Sequence, residues 1–171
     1  MKLSPLALDL QEMVRRSWTR AVRTWGSLQE NMDLVAFAQK MEAVLKKAAS
    51  EYEPISPAAE DGALWGFELG EEGSGFLSLE PNQGTFDLPT VTVSLSLGPI
   101  EDAGREDLLD LLTLNGDLLG ASLTVTPPLG DEQEEFLMLQ TKFPAEEFSE
   151  DMFNKSVTSL MTQISIFFEA E

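Results

Sequence analysis

The sequence has 171 residues, which suits a single domain, and it is 43% hydrophobic and 24% charged, as in an average soluble globular protein. It contains neither cysteine nor histidine, so disulfides, Cys/His metal sites, cysteine nucleophiles and histidine-based triads are excluded by composition. Thirty acidic against eleven basic residues give a net charge of −19, which repels nucleic acid unless a local basic patch is present.

Two amphipathic helices are expected in the first 50 residues. In the first, apolar residues recur at helical spacing over residues 6–25, with arginines on another face. The second begins at Asp33, a residue type suited to the N-cap, and its apolar stripe includes Phe37 and Met41.

The middle of the chain is expected to form strands. Residues 51–62 hold Pro54 and Pro57, so they are predicted to be a connection. Apolar alternation and turn residues then predict three strands, over 65–69, 75–80 and 91–97. In the last of these, one face is aliphatic and the other carries hydroxyls, so we expect the sheet to be covered on one side only.

A short leucine-rich helix is expected over 105–114, with Gly116 as its C′ residue. It has more leucine than one buried stripe can use, which indicates a second apolar contact, most simply with another copy of the chain. Strands over 121–125 and 136–143 and a final helix capped by Ser149 follow. The predicted order is α-α-β-β-β-α-β-β-α, an α+β fold with an antiparallel five-stranded sheet.

Charge is divided unevenly along the chain. Residues 1–49 carry eight of the eleven basic residues and a net charge of +3, whereas residues 50–171 carry −22. A basic section joined to an acidic body favours docking of one on the other, within a chain or between subunits. A solvated basic helix face is the alternative.

Motifs for common chemistries are missing from the sequence. There is no phosphate-binding loop, no dinucleotide-binding glycine pattern and no EF-hand loop. Thirty carboxylates leave a two-carboxylate hydrolase formally open, but no pair is singled out. We therefore expect no enzymatic activity, no cofactor and no metal. No apolar stretch reaches the length of a membrane span and no signal-peptide cleavage site follows the N-terminal apolar residues, so a cytoplasmic location is expected.

The aromatic and aliphatic residues of the first two predicted strands have two interpretations. Core packing is the simpler one. Alternatively, Trp65, Phe67, Leu77 and Leu79 form an apolar face that a partner chain covers by strand addition or by wrapping.

From about Asp33 to its end, the chain resembles the class I chaperones of bacterial type III secretion, the Tir-chaperone-like family. The features that carry the resemblance are the helix from Asp33, three strands, the leucine-rich helix ending at Asn115, the segments 121–125 and 136–144, and the closing helix from Ser149. Small size and acidity agree with the family. Residues 31–171 are therefore treated as a secretion-chaperone-like domain, and residues 1–30 as an additional basic amphipathic helix.

The resemblance implies an ATP-independent homodimeric chaperone that binds an extended segment of a secreted effector in the cytoplasm. The implied dimer interface comprises Leu108, Leu111, Leu112, Leu114, Leu123 and Val125. The implied partner-binding residues are Phe37, Met41, Trp65, Phe67, Leu77 and Leu79. Because one fold can serve several functions, the alternative is a chaperone-fold regulatory or adaptor module that binds a folded cytoplasmic partner. Two roles stay open for the additional helix: it plugs the client groove, or it extends it.

Overall fold

The computed structural model describes residues 32–59, 62–81, 88–100, 105–126 and 135–168; the helix predicted over 6–25 lies outside these ranges. The elements in chain order are α1 (Leu34–Ala48), β1 (Glu51–Ala59), β2 (Gly62–Glu68), β3 (Ser74–Glu80), β4 (Thr90–Pro99), α2 (Arg105–Leu114), β5 (Ser122–Thr126), β6 (Phe136–Pro144) and α3 (Glu150–Phe167). Within these ranges, single-turn 3₁₀ helices lie at Gly70–Glu72 and Ala145–Glu147.

The strands form one antiparallel sheet in the order β1-β2-β3-β4-β6-β5. The predicted α+β class with an antiparallel sheet is confirmed, but the sheet has six strands where five were predicted. The additional strand is β1, where Pro54 and Pro57 predict a connection. Proline is tolerated in a strand that pairs on one side only, and the register of β1 shifts on either side of Ser56 to accommodate the two prolines.

The core lies between one face of the sheet and the helices α1 and α3. On this face, called the inner face below, aliphatic and aromatic side chains from the four strands β2, β3, β4 and β6 are buried against apolar residues of the two helices. The members contributed by the central strand β4 are Val91, Val93 and Leu95, each at most 3% exposed. Fully burying a side chain of this size contributes about 1.5–3 kcal/mol, so the inner face supplies most of the stability of the domain.

Capping residues fix where the two packed helices begin. The Ala36 amide donates to the Asp33 carboxylate at 3.0 Å, and the Met152 amide donates to the Ser149 hydroxyl at 3.1 Å. Both predicted N-caps are therefore confirmed, and each satisfies an amide that the first helical turn leaves without a partner.

The leucine-rich helix α2 has the predicted bounds, but its predicted ending is wrong. Gly116 is not in the left-handed region expected of a C′ glycine. Instead the chain leaves the helix through a tight turn in which the Gly116 amide donates to the Thr113 carbonyl at 2.9 Å. The left-handed glycine comes later, at Gly120, with φ of 64°.

Candidate functional site

A groove of about 510 Å³ lies on the sheet where β1 begins and β2 ends. Its apolar walls come from Ile55 of β1, Phe76 of β3 and Phe136 of β6. These side chains are on the outer face, the side of the sheet away from α1 and α3. Ile55 is 39% exposed, and the two phenylalanines are half-buried. The volume falls within the roughly 300–1,000 Å³ typical of ligand sites.

A glycine opens the floor of the groove. At Gly66 a β-carbon would be 3.5 Å from Cδ1 of Ile55 and 3.7 Å from Cγ of Glu53. The side chains of β1 thus lean over the bare backbone of β2, and a larger residue at this position would occupy the space. The groove exists because this outer-face position has no side chain.

The rim of the groove is acidic. Glu51, Glu53 and Glu68 line it, and its described lining residues include no lysine or arginine. Further along the outer face, Glu80 and Lys142 add one charge of each sign. Because like-signed carboxylates around an apolar floor attract cations, the groove suits a ligand that combines apolar and basic groups.

The structure places the residues implied as partner-binding mainly in the core. Met41, Trp65, Phe67, Leu77 and Leu79 are all at most 3% exposed and belong to the cluster under α1 and α3. In this chain their side chains are not accessible to a partner, as the core-packing interpretation expects.

The sixth of these residues, Phe37 on α1, is half-buried. Its ring meets that of Phe148 edge-on, with the ring centroids 6.0 Å apart. It therefore also packs within the chain, on the helix side of the sheet and away from the groove. The structure does not bring the six residues together on one accessible surface.

Exposed aliphatic side chains also lie on α2, on the turn after it and on β5. Leu109, Leu112, Leu119 and Val125 are 48%, 66%, 82% and 41% exposed. Among the residues implied to form a dimer interface, Leu112 and Val125 are thus exposed, whereas Leu111, Leu114 and Leu123 are half-buried. The side chain of Leu108 lies outside the described part of the chain. We call Leu109, Leu112, Leu119 and Val125 the leucine patch.

Side-chain hydrogen bonds hold the leucine patch in place. Asn115 accepts from the Leu123 amide at 2.7 Å, which ties the end of α2 to the free edge of β5. Gln163 of α3 is only 7% exposed; its Oε1 accepts from the Leu119 amide at 2.9 Å, and its Nε2 donates to the Leu119 carbonyl at 3.3 Å. The backbone amide and carbonyl of Leu119, the most exposed leucine of the patch, are therefore both held by hydrogen bonds to Gln163.

Phe67 lines the groove and is among the residues implied as partner-binding, whereas Ile55, Phe76, Phe136 and Leu119 are not among the predicted site residues. Phe76 alternates with Gly75 and Leu77, which face the core, so the two-residue period of β3 was a usable signal for its outward position. Ile55 lies between Pro54 and Pro57, which predict a connection, so the sequence pattern does not indicate that Ile55 belongs to a strand. Nothing in the sequence links Leu119 to Gln163, since the two residues meet only through the tertiary fold.

No group of three or more metal-ligating side chains is found among the described residues. No helix in the described ranges is long and apolar enough to cross a membrane. In the part of the chain that the structure describes, the pKa of Lys46, at the surface of α1, is raised by hydrogen bonds from its ammonium group to Glu42 and Tyr52. No protein-family model matches the chain, and no curated protein matches it at a significant level.

Proposed function

We propose that the protein is an ATP-independent, dimeric chaperone-like binding protein that holds an extended segment of a secreted effector in the cytoplasm. The observation that carries this proposal is the groove, in which the apolar walls of Ile55, Phe76 and Phe136 meet an acidic rim. An extended segment with alternating apolar and basic side chains complements both features. The resemblance to the type III secretion chaperones supplies the class of client.

Burial of apolar side chains in the groove would provide the affinity. Each large side chain that is fully removed from water contributes about 1.5–3 kcal/mol, and a few of them offset part of the ordering cost of a disordered client. Basic residues of the client would lie beside Glu51, Glu53 and Glu68. These contacts at the rim mainly speed association and exclude acidic segments.

The edge of the sheet beside the groove favours wrapping over strand addition. A client strand added to β1 would need a continuous row of free amides along that strand. Pro54 and Pro57 have no amide hydrogen, and the register shifts around Ser56 distort the row further. We therefore assign side-chain burial in the groove, rather than main-chain pairing along β1, as the binding mode.

The leucine patch is the proposed dimer interface. Four exposed aliphatic side chains lie on α2, on the turn that follows it and on β5, and such side chains are poorly solvated by water. A second copy of the chain would bury them. A two-fold contact presents the same patch from both subunits. The dimer would then offer two grooves to one long client segment, which raises the effective concentration of the second site.

The dimer is tested with Leu112→Asp, measured by light scattering of the purified protein. Leu112 is 66% exposed, so the substitution leaves the core of the subunit intact, but it places a charge in the proposed interface. We expect wild type at twice the 18.8 kDa chain mass and the variant at the chain mass. Ile166→Asp on α3 is the matched control, since Ile166 is 57% exposed and lies outside the patch. A wild-type monomer, or a Leu112→Asp dimer, contradicts the proposed interface.

Client binding is tested with Gly66→Leu, which fills the groove from its floor. Tagged wild-type protein and the variant are used to capture partners from the native cell, followed by limited proteolysis and mass spectrometry. We expect a protease-protected, extended segment near a partner's N-terminus with wild type and its loss with Gly66→Leu. Ser165→Leu, at an exposed position of α3, adds the same side chain elsewhere and should bind as wild type does.

Two results of this experiment oppose the proposal. A protected segment that Gly66→Leu still retains would show that the groove is not the client site. A folded partner without any protected segment would favour the regulatory or adaptor module instead.

A further inference from the structure

Part of the outer face is buried, although both packed helices lie on the other side of the sheet. Met138 of β6 is 0% exposed, and Thr92 of β4 is 4% exposed. Met138 pairs across the sheet with Ser96 and Thr124, whose side chains are short, and it is flanked along β6 by Phe136 and Gln140. The end of α2 contacts the sheet at the edge strand β5, where the Leu123 amide donates to Asn115.

The hydroxyl of Thr92 is a second buried group on the outer face. It is buried, and it has no hydrogen-bond partner among the described residues. A hydroxyl on an open sheet face is normally satisfied by water, and burying it without a partner is costly. The sequence led us to expect this face, with its row of hydroxyls, to be solvated. Its burial instead indicates that something covers the centre of the outer face.

We propose that residues 1–31 dock on the outer face of their own chain and compete there with the client. The apolar stripe of the helix predicted over 6–25 would lie on Met138 and reach the groove, and its arginines would face the acidic rim. The docking itself does not depend on the proposed function. Only the competition with a client rests on it.

Charge complementarity supports this occupant. Residues 1–31 carry four arginines and a net charge of +2, whereas the rest of the chain carries −21. The arginines belong to a segment that also has tryptophans at positions 18 and 25 on its apolar stripe. This is the combination of apolar and basic groups that suits Glu51, Glu53 and Glu68 around an apolar floor.

The length of the segment also fits. A helix over residues 6–25 is about 30 Å long, and a seven-residue strand such as β3 spans about 23 Å, so the helix is long enough to run the full length of the strands on this face. Residues 26–31 remain as a connection of up to roughly 20 Å to Met32, where the described chain begins. A segment of this length can reach the face from its own chain without a second copy.

The docked segment would act as a built-in competitor. A client that needs the same groove binds only to the fraction of molecules in which the segment has left, so its apparent affinity falls by that fraction. A client segment that matches the groove better than residues 1–31 displaces them. A poorly matched chain does not, and the groove stays covered between clients.

The absence of cysteine from the chain makes the docking testable by thiol chemistry. In Met138→Cys, the single thiol is alkylated with iodoacetamide in the full-length protein, alone and combined with Leu10→Asp and Trp18→Asp. We expect the two aspartates, placed on the apolar stripe, to speed alkylation at position 138 about tenfold or more, because they release the cover. Met152→Cys, at a half-buried position of α3 outside the outer face, should react at the same rate with and without the aspartates.

Equal rates at position 138 would overturn the proposal, and faster rates at both positions would show general loosening rather than release of a cover. A disulfide between cysteines introduced at positions 18 and 138 distinguishes docking within one chain from docking between subunits. A cross-linked species at 18.8 kDa supports docking within the chain, and one at twice that mass overturns it in favour of exchange between subunits. None of these readouts involves a client, so they stand apart from the capture experiment.

Discussion

Substituting Gln163 tests how much its hydrogen bonds stabilise the turn that carries Leu119. Its buried amide both accepts from and donates to the backbone of Leu119, at 2.9 and 3.3 Å. Gln163→Ala removes both hydrogen bonds and leaves the two backbone groups to partly buried surroundings. Each bond contributes about 1 kcal/mol net, so we expect a loss of about 2 kcal/mol in the free energy of unfolding. For a chain of this size, that corresponds to a fall of about 4–8 °C in Tm.

The measurement is thermal and urea unfolding followed by circular dichroism, with Thr162→Ala as the control. Thr162 is the exposed neighbour on α3, and its hydroxyl donates to the Thr158 carbonyl one turn earlier in the same helix, so its loss should cost less than about 0.5 kcal/mol. Gln163→Ala should in addition weaken self-association, since the turn no longer fixes Leu119. If Gln163→Ala unfolds at the temperature of the control variant, the hydrogen bonds do not hold the turn and this reasoning is refuted.

Three further predictions concern other parts of the fold. Gly75→Ala should cost about 2–3 kcal/mol in urea unfolding, because a β-carbon there would overlap the Ser94 carbonyl oxygen and force β3 away from β4. Asn115→Ala should cost about 1–2 kcal/mol and speed hydrogen exchange of the β5 amide that Asn115 caps, whereas unchanged exchange would contradict the cap. The pKa of Lys46 is raised above 10.5 chiefly by Glu42, so its stabilising contribution is present at neutral pH and is lost as the pH rises through that pKa. Unfolding of wild type and Lys46→Met should therefore differ most below pH 10.5 and converge above it.

The parts of the fold that depend on local chemistry were predictable from the sequence. Asp33 and Ser149 cap helices because their side chains reach amides only three residues away, a relation that the sequence displays directly. The alternation over 91–97 likewise placed the aliphatic side chains of β4 on the buried side. Strand β1 was missed because two prolines normally oppose a strand, and only its place at the edge of the sheet makes them tolerable.

The candidate surfaces were predictable only in part. An excess of leucine in a short helix pointed to an exposed apolar patch, and Leu112 is indeed at the surface. The groove was not foreseen, because it joins residues of β1, β3 and β6 through pairings that the sequence does not specify. The aromatic residues of β2 and the leucines of β3 were assigned to partner binding through the resemblance, and their burial shows that periodicity alone could not separate a core face from a binding face.

The crossover from β4 to β6 has a consequence during synthesis of the chain. Val91 pairs with Phe143, which leaves the ribosome roughly fifty residues later. At about 5–20 residues per second, the nascent chain spends roughly 3–10 s with β3 and β4 made and one side of β4 still without its partner strand. During that time, the serines and threonines that alternate along β4 keep one face of the unpaired strand polar. Translation speed over residues 100–135 thus sets how long β4, whose inner-face side chains form the centre of the core, stays unpaired on one side.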